Sequence, residues 1–315
     1  MRTGDQYRRE AERFSSPRGR EGASEREELA MMNEEALARL EWIARERDEE
    51  RVYEALRSFS VRDVGELLLR VPDNCPALRT ALPTMPSDRV QINWNGNSGA
   101  ALLEQSLSFI GTVATVFASY TRRPLDGARI LDYGCGWGRL IRLMYKFSGP
   151  DHIYGCDAWA SSLDLCKEHR IRTHLAVCAE VPAEMPFPGV KFDLIYAYSV
   201  LTHLSERTAR AVMGTFRRSI EPGGLCVITV RPPEYWDAHP RKSAVDVERI
   251  KREHAARGFA FTPHYKRAPV DGEITYGDAS ISIEYIEQSW PGWSIASSHP
   301  DSADPLQRLV FLRPD

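Results

Sequence analysis

The stretch Ile130-Leu-Asp-Tyr-Gly-Cys-Gly-Trp-Gly-Arg-Leu140 constrains this chain more than any other. An apolar run leads straight into three glycines spaced two apart, and a helical pattern follows. A strand must therefore end in a tight turn that opens directly into a helix. That unit belongs to sheets whose parallel strands are joined by crossover helices. Residues without Cβ allow the turn and leave room for a ligand against the peptide, and the N–H groups at the helix start can bond to it.

The remainder of the chain repeats the unit. Strand candidates at 128–133, 152–156, 173–178, 192–199 and 225–230 alternate with helical patterns. Phe192-Asp-Leu-Ile-Tyr-Ala-Tyr-Ser is apolar almost throughout, as expected of a strand covered on both faces. Ala209, Val212, Met213, Phe216 and Ile220 fall on one helical face, and Pro222-Gly-Gly is a stop for that helix. Segments 293–298 and 308–312, separated by Asp, Pro and Ser, predict an antiparallel hairpin closing the sheet edge. The fold class is α/β: a doubly wound, seven-stranded, mostly parallel sheet with an N-terminal helical extension and an insertion after the fifth strand.

Five segments follow. Residues 1–58 form a charged tail and helix: the first 55 hold 11 Lys/Arg and 15 Asp/Glu, far above the 27% charged share of the chain. Residues 1–23 read as a loose tail. Leu29, Met32, Ala36, Leu40 and Ile43 recur at helical spacing and predict one long helix over 24–58, whose charges form a solvated face. Its apolar stripe must bury on its own core or across the axis of a homodimer. Residues 59–125 read as a helical cap, with helices at 61–70, 75–82 and 98–120. A polar loop at 91–99 carries Trp94 and can fold over the cleft as a lid. Residues 126–233 are the core and 291–315 its closing hairpin. Between them, 234–290 is a substrate-pocket insertion, with a helix capped by Ser243 and stopped by Gly258, then extended segments at 259–264 and 273–276.

Composition excludes several classes. Lys plus Arg total 41 against 44 Asp plus Glu, a formal net charge of -3, which favours neither nucleic acid nor an anionic membrane. The six cysteines show no CxxC pair and read as reduced thiols. No cluster of Asp and Asn at the strand ends supports a metal. The N-terminus lacks the apolar core of a signal peptide, and the apolar stretch 108–120 is too short to span a bilayer. The expectation is a cytoplasmic protein.

The spacing of the loop selects its ligand. A dinucleotide fingerprint needs a third glycine at position 139, which is Arg139, so an NAD-dependent oxidoreductase fits poorly. Asp157 ends the second strand in Ile-Tyr-Gly-Cys-Asp, where a carboxylate can accept both hydroxyls of a ribose. With Leu131-Asp-Tyr-Gly-Cys-Gly-Trp-Gly-Arg-Leu140, Gly155-Cys-Asp157, Phe192-Asp-Leu-Ile-Tyr-Ala-Tyr-Ser-Val-Leu-Thr-His-Leu204 and Glu221-Pro-Gly-Gly224, the chain resembles the class I S-adenosylmethionine (SAM)-dependent methyltransferases. The resemblance covers roughly 126–233 and, more weakly, the closing hairpin. It implies a Rossmann-like sheet of seven strands with the last antiparallel, and SAM as cofactor. By that resemblance, Asp132, Gly134, Cys135, Gly136 and Gly138 hold the methionine moiety and Asp157 the ribose. Trp159 packs on the adenine, Ala179 and Glu180 stand at its edge, and Tyr198 with Ser199 faces the reacting methyl group.

Methyl transfer from a sulfonium is an in-line displacement, so alignment in a dry pocket comes first. A hydroxyl or amine acceptor also needs a base, and histidine suits that task near neutral pH. His203 lies just past the fourth strand, and His264 and Tyr276 stand on facing segments of the insertion. These three are the catalytic candidates. His254 shares a helical face with Val247 and Ile250 and reads as a buried, satisfied histidine. The wording Tyr-Ser-Val-Leu-Thr-His-Leu looks like methyltransferases of sugars, glycans and secondary metabolites, which implies O-transfer to a small or medium-sized acceptor. An N- or carboxyl-methyltransferase acting on a peptide or amine, and a non-catalytic adaptor that keeps the SAM fold, stay open.

Overall fold

The described part of the charged N-terminal run folds as two helices, because an aspartate interrupts it. In the computed structural model, which describes residues 32–239, 242–265 and 268–315, α1 (Glu34–Arg45) starts on an Asn33 cap. Arg47 then enters the left-handed region, and Asp48 accepts the Arg51 N–H to begin α2 (Glu49–Leu56). The single helix expected over 24–58 is corrected to this pair, and its first part, 24–31, lies outside the described residues. The break turns Val52, Tyr53 and Leu56 onto the same core that buries Leu40 and Ile43. The apolar stripe of the described helix is thus covered within this chain.

The cap follows the expected outline. α3 (Val61–Leu69) opens on a Ser60–Asp63 capping box, and α4 (Pro76–Ala81) opens on proline. The orphan N–H groups of Ala77 and Leu78 at its start donate to the buried Glu41 carboxylate at 3.2 and 2.9 Å. The expected polar loop at 91–99 is instead largely helical: α5 (Asp88–Asn95) ends on Gly96 at φ 75°. The buried Gln91 amide holds that turn from inside, donating to Pro86 O (2.8 Å) and accepting from Gly99 N (3.0 Å). α6 (Gly99–Thr121) is 23 residues long, so by length and composition it could span a bilayer, unlike the shorter stretch read from the sequence. Its Phe109, Ile110, Val113 and Phe117 are buried in the core of this chain.

The core alternates as predicted: β1 (Ile130–Tyr133), α7 (Ile141–Met144), β2 (Ile153–Asp157), α8 (Ala160–Glu168), β3 (His174–Val177), β4 (Phe192–Ala197), α9 (Glu206–Ser219) and β5 (Ile220–Val230). Alternate side chains of β1 and β4 go to opposite layers. Ile130, Leu194 and Tyr196 join Phe109 and Val113, whereas Leu131 and Ile195 join Met213 and Phe216. The stop expected at 222–224 is corrected. The helix ends at Ser219, and Pro222-Gly-Gly lies inside β5, where a Cβ on Gly224 would stand 2.8 Å from the Asp193 carbonyl.

The insertion supplies α10 (Ala244–Arg257), capped by Ser243 and stopped by Gly258 as predicted, then β6 (Phe259–Pro263), β7 (Gly277–Ile281) and α11 (Ile283–Ser289). β6 and β7 form their own antiparallel pair. The second extended segment therefore sits at 277–281 rather than 273–276. In Gly-Asp-Ala-Ser-Ile, Ala279 and Ile281 join the apolar core, whereas the alternate Asp278 and Ser280 are buried against polar partners. Ser280 Oγ meets His254 Nδ1 and Trp236 Nε1, both at 2.8 Å, which also satisfies the buried His254.

β8 (Trp293–Pro300) and β9 (Arg308–Pro314) close the sheet in the order β3-β2-β1-β4-β5-β9-β8, with β9 antiparallel to both neighbours. The order reverses between β1 and β4. The crevice at their carboxyl ends is where a doubly wound sheet binds ligands.

Candidate active site

A cleft of about 510 Å³ opens at that crevice, lined by the glycine loop, the ends of β2 and β4, and the insertion. The three glycines serve different ends. All have positive φ: 75° at Gly134, 55° at Gly136 and 80° at Gly138. A Cβ on Gly134 would come within 2.5 Å of Val200, and one on Gly138 within 3.0 Å of Ile171, so both are required by packing. A Cβ on Gly136 would meet only Trp94, at 3.8 Å, so this peptide faces the open cleft. Gly134, Cys135 and Gly136 line it, while Gly138 packs behind it. Cys135 presents its backbone. A hydrogen bond with Cys166, then burial, holds its thiol well above the usual range, so it stays protonated.

Two carboxylates flank the loop. Asp157 accepts the Gly136 N–H at 3.0 Å on one oxygen and the Trp159 N–H at 2.8 Å on the other. A carboxylate at this strand end is the acceptor type that a diol's two hydroxyls require. Asp132 is 3% exposed. Burial pushes its carboxyl up to about 7, with Asp157 adding repulsion and the Arg139 guanidinium opposing it. An incoming ammonium would restore its charge. The rim is aromatic: Trp159 lies 5.6 Å from Trp94 and 5.7 Å from Tyr276, ring centre to ring centre. Trp94 thus overhangs the glycine loop from the end of α5 rather than from a loop. Glu180 lines the cleft and accepts the Thr275 hydroxyl at 2.8 Å. Ala179 is exposed and does not line it.

On the other side, Tyr198 donates its hydroxyl to Asp301 at 2.6 Å, with Arg139 over its ring. Ser199, at φ 58°, is held by Thr229 Oγ1 on its N–H (2.7 Å) and by Gln307 on its hydroxyl (2.9 Å). Such strain at a strand end is characteristic of functional loops. His203 sits in a single 3-10 turn (Leu201–His203) and stacks on Tyr276 at 5.3 Å. Its Nδ1 is 2.8 Å from the Gly277 carbonyl, which can only accept, so the proton is on Nδ1 and the lone pair is on Nε2, which faces Arg231 Nη2 at 3.5 Å. Burial, and then the nearby Arg231, lowers its pKa to about 4, so the ring is neutral at pH 7.

His264 does not line the cleft. Its Nε2 binds Asp278 at 2.7 Å, beneath Tyr276. Asp278 is the centre that sequence reasoning missed. One of its oxygens takes Arg231 Nη1 (3.0 Å) and the Tyr235 hydroxyl (3.1 Å), and the other takes His239 (3.1 Å) and His264. Burial pushes this carboxyl up, but the His264 and His239 hydrogen bonds outweigh it and hold it well below the usual range. Arg231 was also missed, although its place directly after β5, at the carboxyl edge, was a readable signal. No group of three or more His, Cys, Asp or Glu able to hold a metal occurs among the described residues.

Comparison with known proteins bears on the core. Residues 130–224 match a family model described as a methyltransferase domain. A ubiquinone biosynthesis O-methyltransferase of Brucella ovis is 32% identical over 111 residues, and one of Chelativorans sp. is 28% identical over 108. These matches cover 34% of this chain and only 42% and 41% of those proteins. Among solved structures, a glycopeptide N-methyltransferase complexed with sinefungin aligns over 64% of this chain and 93% of its own, at 15% identity and a TM-score of 0.44. A magnesium protoporphyrin IX methyltransferase from Synechocystis aligns over 72% and 92%, at 16% identity and a TM-score of 0.44.

Proposed function

Starting from a methyltransferase domain at residues 130–224, we propose that this chain transfers a methyl group from SAM to an oxygen of a small or medium-sized acceptor. The observation that carries the reading is the open peptide of Gly136 between two carboxylates, Asp132 and Asp157, under an aromatic rim. A nucleoside with a ribose diol, a flat base and an amino-acid tail fits each of these. Bound there, SAM supplies an electrophilic sulfonium methyl.

The residues divide the remaining work. Asp157 accepts the diol, and Asp132, near neutrality when alone, becomes the counter-ion of the ammonium. Trp159 packs on the base, Glu180 marks its edge, and Trp94 covers the loop and excludes water. Tyr198 and Ser199 shape the wall beside the methyl group. His203 offers an Nε2 lone pair to the acceptor's proton, with Tyr276 fixing the plane of its ring. His264 holds Asp278 beneath Tyr276 and acts through it rather than on the acceptor.

Calorimetric titration with SAM, S-adenosylhomocysteine (SAH) and NAD tests the reading. SAM and SAH should bind saturably and NAD should not. Asp157→Ala should weaken SAH by about tenfold or more, through loss of a charge-assisted acceptor pair. Binding of NAD alone, or of none of the three, overturns it.

A further inference from the structure

Resting on that reading, we propose that Arg231 selects the acceptor: the reacting atom is an acidic oxygen, the hydroxyl of a phenol or enol or a carboxyl group, rather than an amine or an alkyl alcohol.

The geometry is specific. Arg231 Nη2 lies 3.5 Å from His203 Nε2, and both residues line the cleft. The guanidinium is fixed from behind by Asp278 through Nη1, and it lies over the Tyr235 ring at 3.9 Å. Asp278 has taken up its lone pairs elsewhere, on Tyr235, His239 and His264, and the contact with Arg231 uses Nη1 alone. An oxygen lodged beside Nε2 therefore meets an N–H donor of Arg231 as well as the histidine lone pair.

Each acceptor class meets this pair differently. An acidic hydroxyl gives its proton to Nε2, and its electron pair forms the bond to the methyl carbon. The pair of the broken carbon–sulfur bond stays on sulfur, and the oxyanion is stabilised by Arg231 until transfer. A carboxylate arrives already ionised and needs only the guanidinium. An amine is an ammonium near neutral pH and is repelled. An alkyl alcohol is too weak an acid for a neutral histidine whose own proton affinity has been lowered.

The test uses the SAH complex and probes of similar size. 4-Nitrophenol, whose anion absorbs in the visible, reports its own ionisation. Bound to the SAH complex it should ionise about one pH unit lower than when free, a tenfold change in acid constant. Benzoate should displace it, and benzyl alcohol and benzylamine at equal concentration should not. With SAM in place of SAH, a base-labile methylated product from benzoate and a base-stable one from the phenol separate the two acidic sources. Arg231→Gln should abolish the shift and Arg231→Lys should retain part of it. Unchanged SAH affinity in both variants shows that the fold and the cofactor site survive. An unshifted 4-nitrophenol, a shift that persists in Arg231→Gln, or stronger competition by benzylamine overturns the proposal while SAH binding stands. Failure of SAH to bind overturns the methyltransferase reading and this proposal with it.

Discussion

Asp132→Asn should make the ligand-free protein steadily more stable relative to wild type as pH rises. Asp132 is buried, and its carboxyl is pushed from an ordinary 3.8 up to about 7. A folded-state pKa above the unfolded one means that the folded chain binds the proton more tightly. That contribution is full below about pH 4 and is lost as pH rises through about 7. Three units correspond to about 4 kcal/mol of differential stability between pH 4 and pH 8. The asparagine keeps the shape and cannot ionise. The difference in unfolding temperature, variant minus wild type, should therefore grow by on the order of 10 °C between those pH values. Thermal unfolding followed by circular dichroism at half-unit steps of pH measures it. The slope is diagnostic, because the loss of a neighbour for Arg139 moves only the offset. Parallel curves would refute the argument that Asp132 is held in a destabilised, ligand-ready state. Calorimetry should show SAH affinity falling tenfold or more in the same variant.

The two cleft glycines should separate packing from binding. Gly134→Ala meets Val200 at 2.5 Å in a left-handed conformation, so it should cost about 2–4 kcal/mol of stability in chemical denaturation. Gly136→Ala has open space and should cost only about 1–2 kcal/mol, yet lose at least tenfold in SAH affinity by calorimetry, since its methyl enters the cleft. His203→Gln should lower kcat by about 100-fold or more while SAH affinity is unchanged, and an equal loss in both would assign His203 to cofactor binding instead.

The parts of the fold that were legible in the sequence are those whose signals are local. The strand–glycine–helix unit, the apolar β4 and the Ser243 and Gly258 boundaries each rest on residues within a few positions of one another, and each recurs in the structure. The failures share a cause. Asp48 and Gln91 are polar residues whose roles appear only once their partners are known: an N-cap in one case, a buried amide bracing a turn in the other. β7 escaped because Gly277 and Ala279 are small and Asp278 and Ser280 are polar yet buried against hydrogen-bonding partners, which leaves Ile281 as its one large apolar side chain. Asp278 gathers Arg231, Tyr235 and His239 from 39 to 47 positions away. No periodicity encodes such a convergence. The glycine-loop half of the cleft was readable because one crossover builds most of it, whereas the half around Arg231 and Tyr276 joins the core to an insertion.

The two halves also differ in sign, and on the proposed reading that difference has a catalytic consequence. Asp132, Asp157 and Glu180, with the Arg139 cation near Asp132, gather on the side where a sulfonium and an ammonium would lie, and Arg231, backed by Asp278, stands beside His203 on the acceptor side. A cationic donor and an anionic acceptor lose their charges to one another as the methyl group passes. Water stabilises separated charges more than a partly neutralised transition state, so removing water lowers the barrier of such a reaction. An amine acceptor yields no such gain, because its transfer leaves a cation where a cation began. The aromatic row of Trp94, Trp159 and Tyr276 therefore has, on that reading, a second task besides seating a base. On the proposed reading it dries a space in which opposite charges, each held by its own fixed counter-charge, are brought together.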